Sequence, residues 1–252
     1  VAAEPFISNE QKKTGRDRKA GGVACVQEKY IVSIISSEVV YKALFTARQF
    51  AWLDQIPKLY ATVEHTFGQC GIELTEIKCE GGQNDPAKFA VIGQSAQAAI
   101  TAKIMLYGLQ LFWNSSGASA PARCTELGQS LVEALIKDCP GLKFKVQAVT
   151  WAGHIECVDS SPQQILAQFA CAPKGLPGAE AIGLSFSLEP TDQRLSTAVT
   201  VQPSVSLSSG IYARFDFNWS GGLAPTEVGS RTGAEVTRVL QSMALDIGER
   251  VV

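Results

Sequence analysis

Polarity alternates residue by residue along positions 211–218. Ile211, Ala213, Phe215 and Phe217 fall on one side, and Tyr212, Arg214, Asp216 and Asn218 on the other. A side-chain period of two belongs to a β-strand, so this run predicts a strand with one buried face and one face toward water. Any fold for this chain must therefore supply a sheet with one apolar side and something to cover it. Just upstream, Val199, Val201, Val205 and Leu207 alternate with polar or small residues, and Ser208, Ser209 and Gly210 predict a hairpin loop. Pro203 lacks an N–H for the ladder and marks an edge or a bulge.

Cover for the sheet is written downstream. Thr232 and Glu235 have the spacing of a capping box, and Val236, Leu240, Met243 and Ile247 form one apolar stripe. The same order occurs earlier. Phe144, Val146 and Ala148 alternate with Lys143, Lys145 and Gln147, predicting a strand over 142–157. Ser161, Pro162 and Gln164 then predict a capped helix start, with Ile165, Leu166 and Phe169 as its buried side. After the breaker at 173–178, residues 182–188 read as the next strand. From position 142 onward the order is β-α-β-β-β-α.

The first part of the chain repeats that order. Residues 29–35 predict a strand, and Ile56, Tyr60, Val63 and Phe67 a helix, with Asp54 as N-cap, Pro57 in its first turn, and Gly68 and Gly71 available to end it. Strands follow at 71–79 and 88–92, then a long strand at 99–113 bent at Gly108, then a helix on Leu127, Leu131 and Leu135. An aromatic-rich run ends in Asn, Ser and Gly at 106–117 and again at 211–222, with Tyr107 matching Tyr212 and Phe112 matching Phe217. The expected fold class is α+β, with two similar β-α-β-β-β-α halves whose mostly antiparallel sheets are covered by helices. The boundaries are an arm at 1–22, a first half at 23–140 and a second at 141–252. Internal duplication accounts for the echo; convergent ordering is the alternative.

Twenty-two Lys and Arg against 24 Asp and Glu leave a net charge of −2, so no global field recruits nucleic acid or an anionic membrane. No apolar run reaches the roughly 18 residues of a membrane span. The arm is locally basic through Lys12, Lys13, Arg16, Arg18 and Lys19, and it lacks the order of a secretory leader. Seven cysteines, none in a Cys-x-x-Cys pair, suit free thiols in a reduced, cytoplasmic protein. Asn114 and Asn218 both begin Asn-x-Ser patterns, read here as turn chemistry.

The chain holds two histidines. His65 reads as an ordinary helix residue. His154 stands near Glu156 and Cys157; on a strand the first two share a face and the third opposes them, unless Gly153 makes a bulge. No nucleophile elbow, metal motif or phosphate loop is present, so no catalytic residue, metal site or cofactor is assigned. The expected function is a non-enzymatic binding or assembly protein. It would act through sheet surfaces or edges and the arm, toward a protein partner or a second copy; nucleic acid is the less favoured partner. The residues pointing there are Tyr107, Tyr212 and Arg214, aromatics and a cation of the kind that dominate recognition surfaces, with Lys12, Lys13, Arg16 and Arg18 of the arm. The alternative is a small-ligand carrier or enzyme with a helix–sheet pocket using His154 and Glu156.

Overall fold

The computed structural model describes residues 30–115, 120–169, 183–188, 193–220, 225–243 and 245–247. In chain order the elements are β1 (Tyr30–Phe45), α1 (Ile56–Gln69), β2 (Glu76–Gly82), β3 (Asp85–Ser95), β4 (Ile100–Met105), β5 (Gly108–Ser115) and α2 (Ala120–Asp138). They continue with β6 (Phe144–Cys157), α3 (Pro162–Phe169), β7 (Leu184–Leu188), β8 (Leu195–Pro203), β9 (Gly210–Ser220), α4 (Pro225–Ser242) and β10 (Leu245–Ile247). Among the described residues the fold is mixed α+β, with four α-helices and one mostly antiparallel sheet in the order β2-β3-β4-β5-β1-β6-β9-β8-β7; β10 adds in parallel to the start of β1. The antiparallel pair β1/β6 holds the centre. Outward from it lie β5, β4, β3 and β2 on one side and β9, β8 and β7 on the other.

One row of side chains shows how the sheet is covered. Gly93, Ala102, Leu111, Tyr41, Val149, Phe217 and Thr197 are successive cross-strand neighbours, and all are buried. Helices lie on this face. A Cβ on Gly93 would stand 2.5 Å from Val63 of α1, and one on Gly128 of α2 would stand 2.5 Å from the Tyr41 ring. Arg231 of α4 lies over the Trp219 ring, and α3 packs on β8. Trp151 stacks on Phe215 within the same layer, with centroids 5.0 Å apart.

Several local expectations hold. Ser161 and Gln164 form the capping box reciprocally, with Ser161 N–H donating to Gln164 Oε1 at 2.7 Å and Gln164 N–H to Ser161 Oγ at 3.2 Å. β9 alternates buried and open residues as read. Pro203 is the last residue of β8, beyond the reach of β7, which pairs only as far as Val201. Its missing donor is therefore not needed on that side.

Others change. The stretch 99–113 is not one bent strand but the hairpin β4/β5, turning at Leu106 and Tyr107. Asp54 does not cap α1, whose N-cap is Gln55; Asp54 instead accepts from Gln83 Nε2 at 2.6 Å. Thr232 and Glu235 do not start a helix. Pro225 begins α4, leaving Thr232 buried in mid-helix, where its hydroxyl donates to the Val228 carbonyl at 2.7 Å. Ile247 lies in β10 rather than on the α4 stripe. Asn114 and Asn218 sit within β5 and β9, exposed, rather than in turns.

Cys70, Cys79, Cys124, Cys139 and Cys157 are free thiols; Cys25 and Cys171 lie outside the described residues. Burial pushes the Cys124 thiol well above its ordinary range. Cys157 is pushed up to about 11, first by burial and then by Asp159 and Glu156, against a backbone hydrogen bond from Ile211. No described helix is long and apolar enough to cross a membrane.

Candidate functional site

The face away from the helices carries most of the polar side chains of the strands, with Val40 and Ile92 buried among them. Across its centre run Asn114, Glu38, Ala152, Arg214 and Thr200 as one cross-strand row, and Ser36, His154, Tyr212 and Gln202 as the next. Small residues of β6 (Ala148, Thr150 and Ala152) leave a trough between the longer side chains of β1 and β9. At one end it opens into a shallow cleft of about 450 Å³ lined by Ser36, Glu38, Asn114, Ala152, His154 and Tyr212. The cleft lies where the described β1/β5 pairing reaches Ser37 and Ser115, beside a register irregularity of β1 and β6 between Ile34 and Ser36.

His154 is held firmly. Ser204 Oγ accepts the backbone N–H groups of Ser206 at 3.1 Å and Leu207 at 2.9 Å, which occupies both of its lone pairs. Its single hydrogen is left for His154 Nδ1, 2.8 Å away. In the neutral ring that arrangement would leave the proton on Nε2. The His154 and Tyr212 rings lie 5.2 Å apart, making a tilted aromatic wall.

One rung further, Arg214 grips Asp216 with two hydrogen bonds, Nε to Oδ2 at 2.9 Å and Nη2 to Oδ1 at 3.0 Å. Thr150 Oγ1 adds a third to Oδ1 at 2.6 Å. Partial burial by itself would raise the Asp216 carboxyl. The bonds from Arg214 and Thr150, with the charges of Arg214 and Lys42, outweigh it and hold the carboxyl below its usual range. Arg214 is raised in turn, first by its bond to Asp216.

The structure brings together His154, Tyr212 and Arg214, which the sequence offered in separate groups. Glu156 follows His154 on the same face, but its rung is Ser33 and Gly210, and it does not line the cleft. β6 stays in unbroken register with β9 past Gly153, so Cys157 remains buried on the covered face. His154, Glu156 and Cys157 do not converge. Tyr107 lies elsewhere, at the β4/β5 turn, 50% exposed, in a separate depression with Glu80, Phe89 and Lys103. Its echo partner Tyr212 is inside β9, while Phe112 is on the open face and Phe217 is fully buried on the covered one. A match shifted by one residue reverses faces. Lys12, Lys13, Arg16 and Arg18 lie outside the described residues. Glu38 went unread in the sequence and Asn114 was read only as turn chemistry; the signal for their place at the cleft was position on strands whose register was unknown. Among the described residues no cluster of His, Cys, Asp or Glu could hold a metal ion.

No protein-family model matches the chain, and no curated protein matches it. The solved structure of a rolling circle replication initiator protein from Geobacillus stearothermophilus is similar over 83% of this chain and 84% of that one, at 9% identity and a TM-score of 0.34. A likeness that weak assigns neither fold nor activity.

Proposed function

We propose that this chain is a non-enzymatic binding and assembly protein, acting in the reduced cytoplasm, that uses the open face of its sheet to recognise a protein partner. One observation carries the reading: the helices cover a single face, and the centre of the other gathers Tyr212, His154, Glu38 and Asn114 round one cleft, with Arg214 on the adjoining rung of β9, opposite Ala152 of the cleft floor. Tyr and Arg beside a small-residue floor suit the anchoring of a partner's side chains. Nucleic acid is disfavoured by balance. Lys42, Lys78, Lys103 and Arg214 on this face are interleaved with Glu38, Glu76, Glu80 and Asp216, so it offers no continuous positive track. The basic arm at 1–22 would supply a second, separate contact.

The test is partner recovery by cross-linking and mass spectrometry from native extract. Recovery should fall at least tenfold with Tyr212→Ala combined with Arg214→Glu, and stay unchanged with His65→Ala, an exposed α1 control. Equal recovery by all three proteins sinks the proposal. A small-ligand reading is favoured only by the cleft itself, and it gains if a purified ligand protects His154 from modification.

We also infer that the two halves, 23–140 and 141–252, arose by duplication. Trp113 and Trp219 both lie on the strand before a closing helix, and both are overlain by an arginine of that helix: Arg123 at 5.4 Å and Arg231 at 6.0 Å.

A further inference from the structure

β2 and β7 are the outer strands of the sheet, and they guard their free edges differently. β2 sets Glu76, Lys78 and Glu80 along its open side, with a register shift between Glu80 and Gly82 around Gly81, whose φ is 72°. Charges and a bulge of this kind prevent another strand from adding. β7 has neither. It reads Leu184, Ser185, Phe186, Ser187, Leu188, without charge, proline or bulge, in unbroken register with β8. No strand among the described residues pairs with its outer edge. Ser185 and Ser187 are exposed, and Leu184 and Leu188 are only partly buried.

The strand also reads the same in both directions. An antiparallel second copy centred on Phe186 would set Ser185 opposite Ser187 and Leu184 opposite Leu188, like against like at every rung. The two-fold axis of such a pair stands perpendicular to the sheet, so helix-covered faces remain on one side and open faces on the other. We propose that the β7 edge is the docking site for a second copy of this chain, giving a two-fold dimer with one sheet running through both. This deepens the assembly reading by naming the partner, but it rests on the edge rather than on the cleft. A monomeric protein would sink it while leaving open-face recognition standing.

Sedimentation of the full chain over a wide concentration range is the experiment, with circular dichroism to confirm folding. Wild type should sediment at twice the chain mass. Ser185→Lys with Ser187→Lys places lysine against lysine at two rungs, and the mass should halve. Ser185→Lys with Ser187→Glu places lysine against glutamate at both, and the dimer should return and weaken with added salt. That variant also shows whether charge at these positions harms folding. A monomeric wild type overturns the proposal. So does a dimer indifferent to the double lysine, which would point to another interface, or one lost equally in both variants, which would contradict the register.

Discussion

The two halves solve one packing problem with different residues. In the first half, Tyr41 of β1 is fully buried beneath α2, and the helix meets it with Gly128. The paired tryptophans and arginines set a correspondence in which Val39, beside Trp113, matches Gln147, beside Trp219. Tyr41 then matches Val149 and Gly128 matches Val236. The first half places a large ring against a glycine, and the matched positions of the second hold two buried valines. The comparison teaches that a sheet–helix gap constrains summed volume rather than identity. A duplication of this kind, as proposed, would be hard to detect by aligning residues.

The largest effect should come from disturbing that division. Gly128→Val puts new carbons where even a Cβ would stand 2.5 to 2.9 Å from the Tyr41 ring, so α2 must lift or the ring must leave. A loss of about 3 kcal/mol is expected in chemical denaturation. Tyr41→Val alone should cost about 3 kcal/mol through the cavity it leaves. The double variant, which copies the second half, should cost at least about 1 kcal/mol less than the sum. Strict additivity would break the comparison.

A smaller effect tests the contact that joins the halves. Tyr41 Oη donates to Gln147 Oε1 at 2.7 Å in the buried layer, and burial pushes the phenol well above its usual range. Tyr41→Phe removes this bond while keeping the ring, and should cost about 1 kcal/mol. No loss on denaturation would mean the hydroxyl is incidental.

How much of this was legible in the sequence follows from where side-chain patterns report on one face only. β6 and β9 alternate cleanly and were read nearly whole. β1 was read only at its start, because Val39, Val40 and Tyr41 run together without alternation. Val40 is buried too, on the open face between Phe112 and Thr150. The β4/β5 hairpin was read as one strand because its turn is made of Leu106 and Tyr107, residues that do not signal turns. His154 and Tyr212 were each singled out, yet their pairing depends on a register between strands more than 50 residues apart. Glu38 and Asn114 depend on another. Composition along the chain carries no such information.

The open faces of the halves differ as well. Asp216 of β9 corresponds to Gln110 of β5, so only the second half carries the Arg214–Asp216 pair. The Asp216 carboxyl is lowered in the folded chain, so its contribution is present above the unfolded value near pH 4 and lost as pH falls through the folded one. With the aspartate side chain 27% exposed, that contribution is about 0.5–1 kcal/mol at neutral pH. Asp216→Asn should remove it and flatten that part of the acid limb. An acid profile identical to wild type would show the pair to be energetically silent.

The smallest expected effect bears most directly on the correspondence. Arg123 over Trp113 and Arg231 over Trp219 are cation–π contacts at the helix surface, at 5.4 and 6.0 Å. Contacts of this kind contribute about 0.5–1 kcal/mol when partly exposed. Arg123→Ala and Arg231→Ala should each cost about that much, and Arg→Lys should recover some of it at both sites, because an ammonium keeps the charge but not the flat stacking surface. Each tryptophan's fluorescence should shift with its own arginine and not with the other. Such matched, separable responses would sharpen the comparison into a shared structural position. If one arginine proved silent while the other carried the full effect, the two tryptophans would be alike in geometry only, and the alignment of Gly128 with Val236 would lose its anchor.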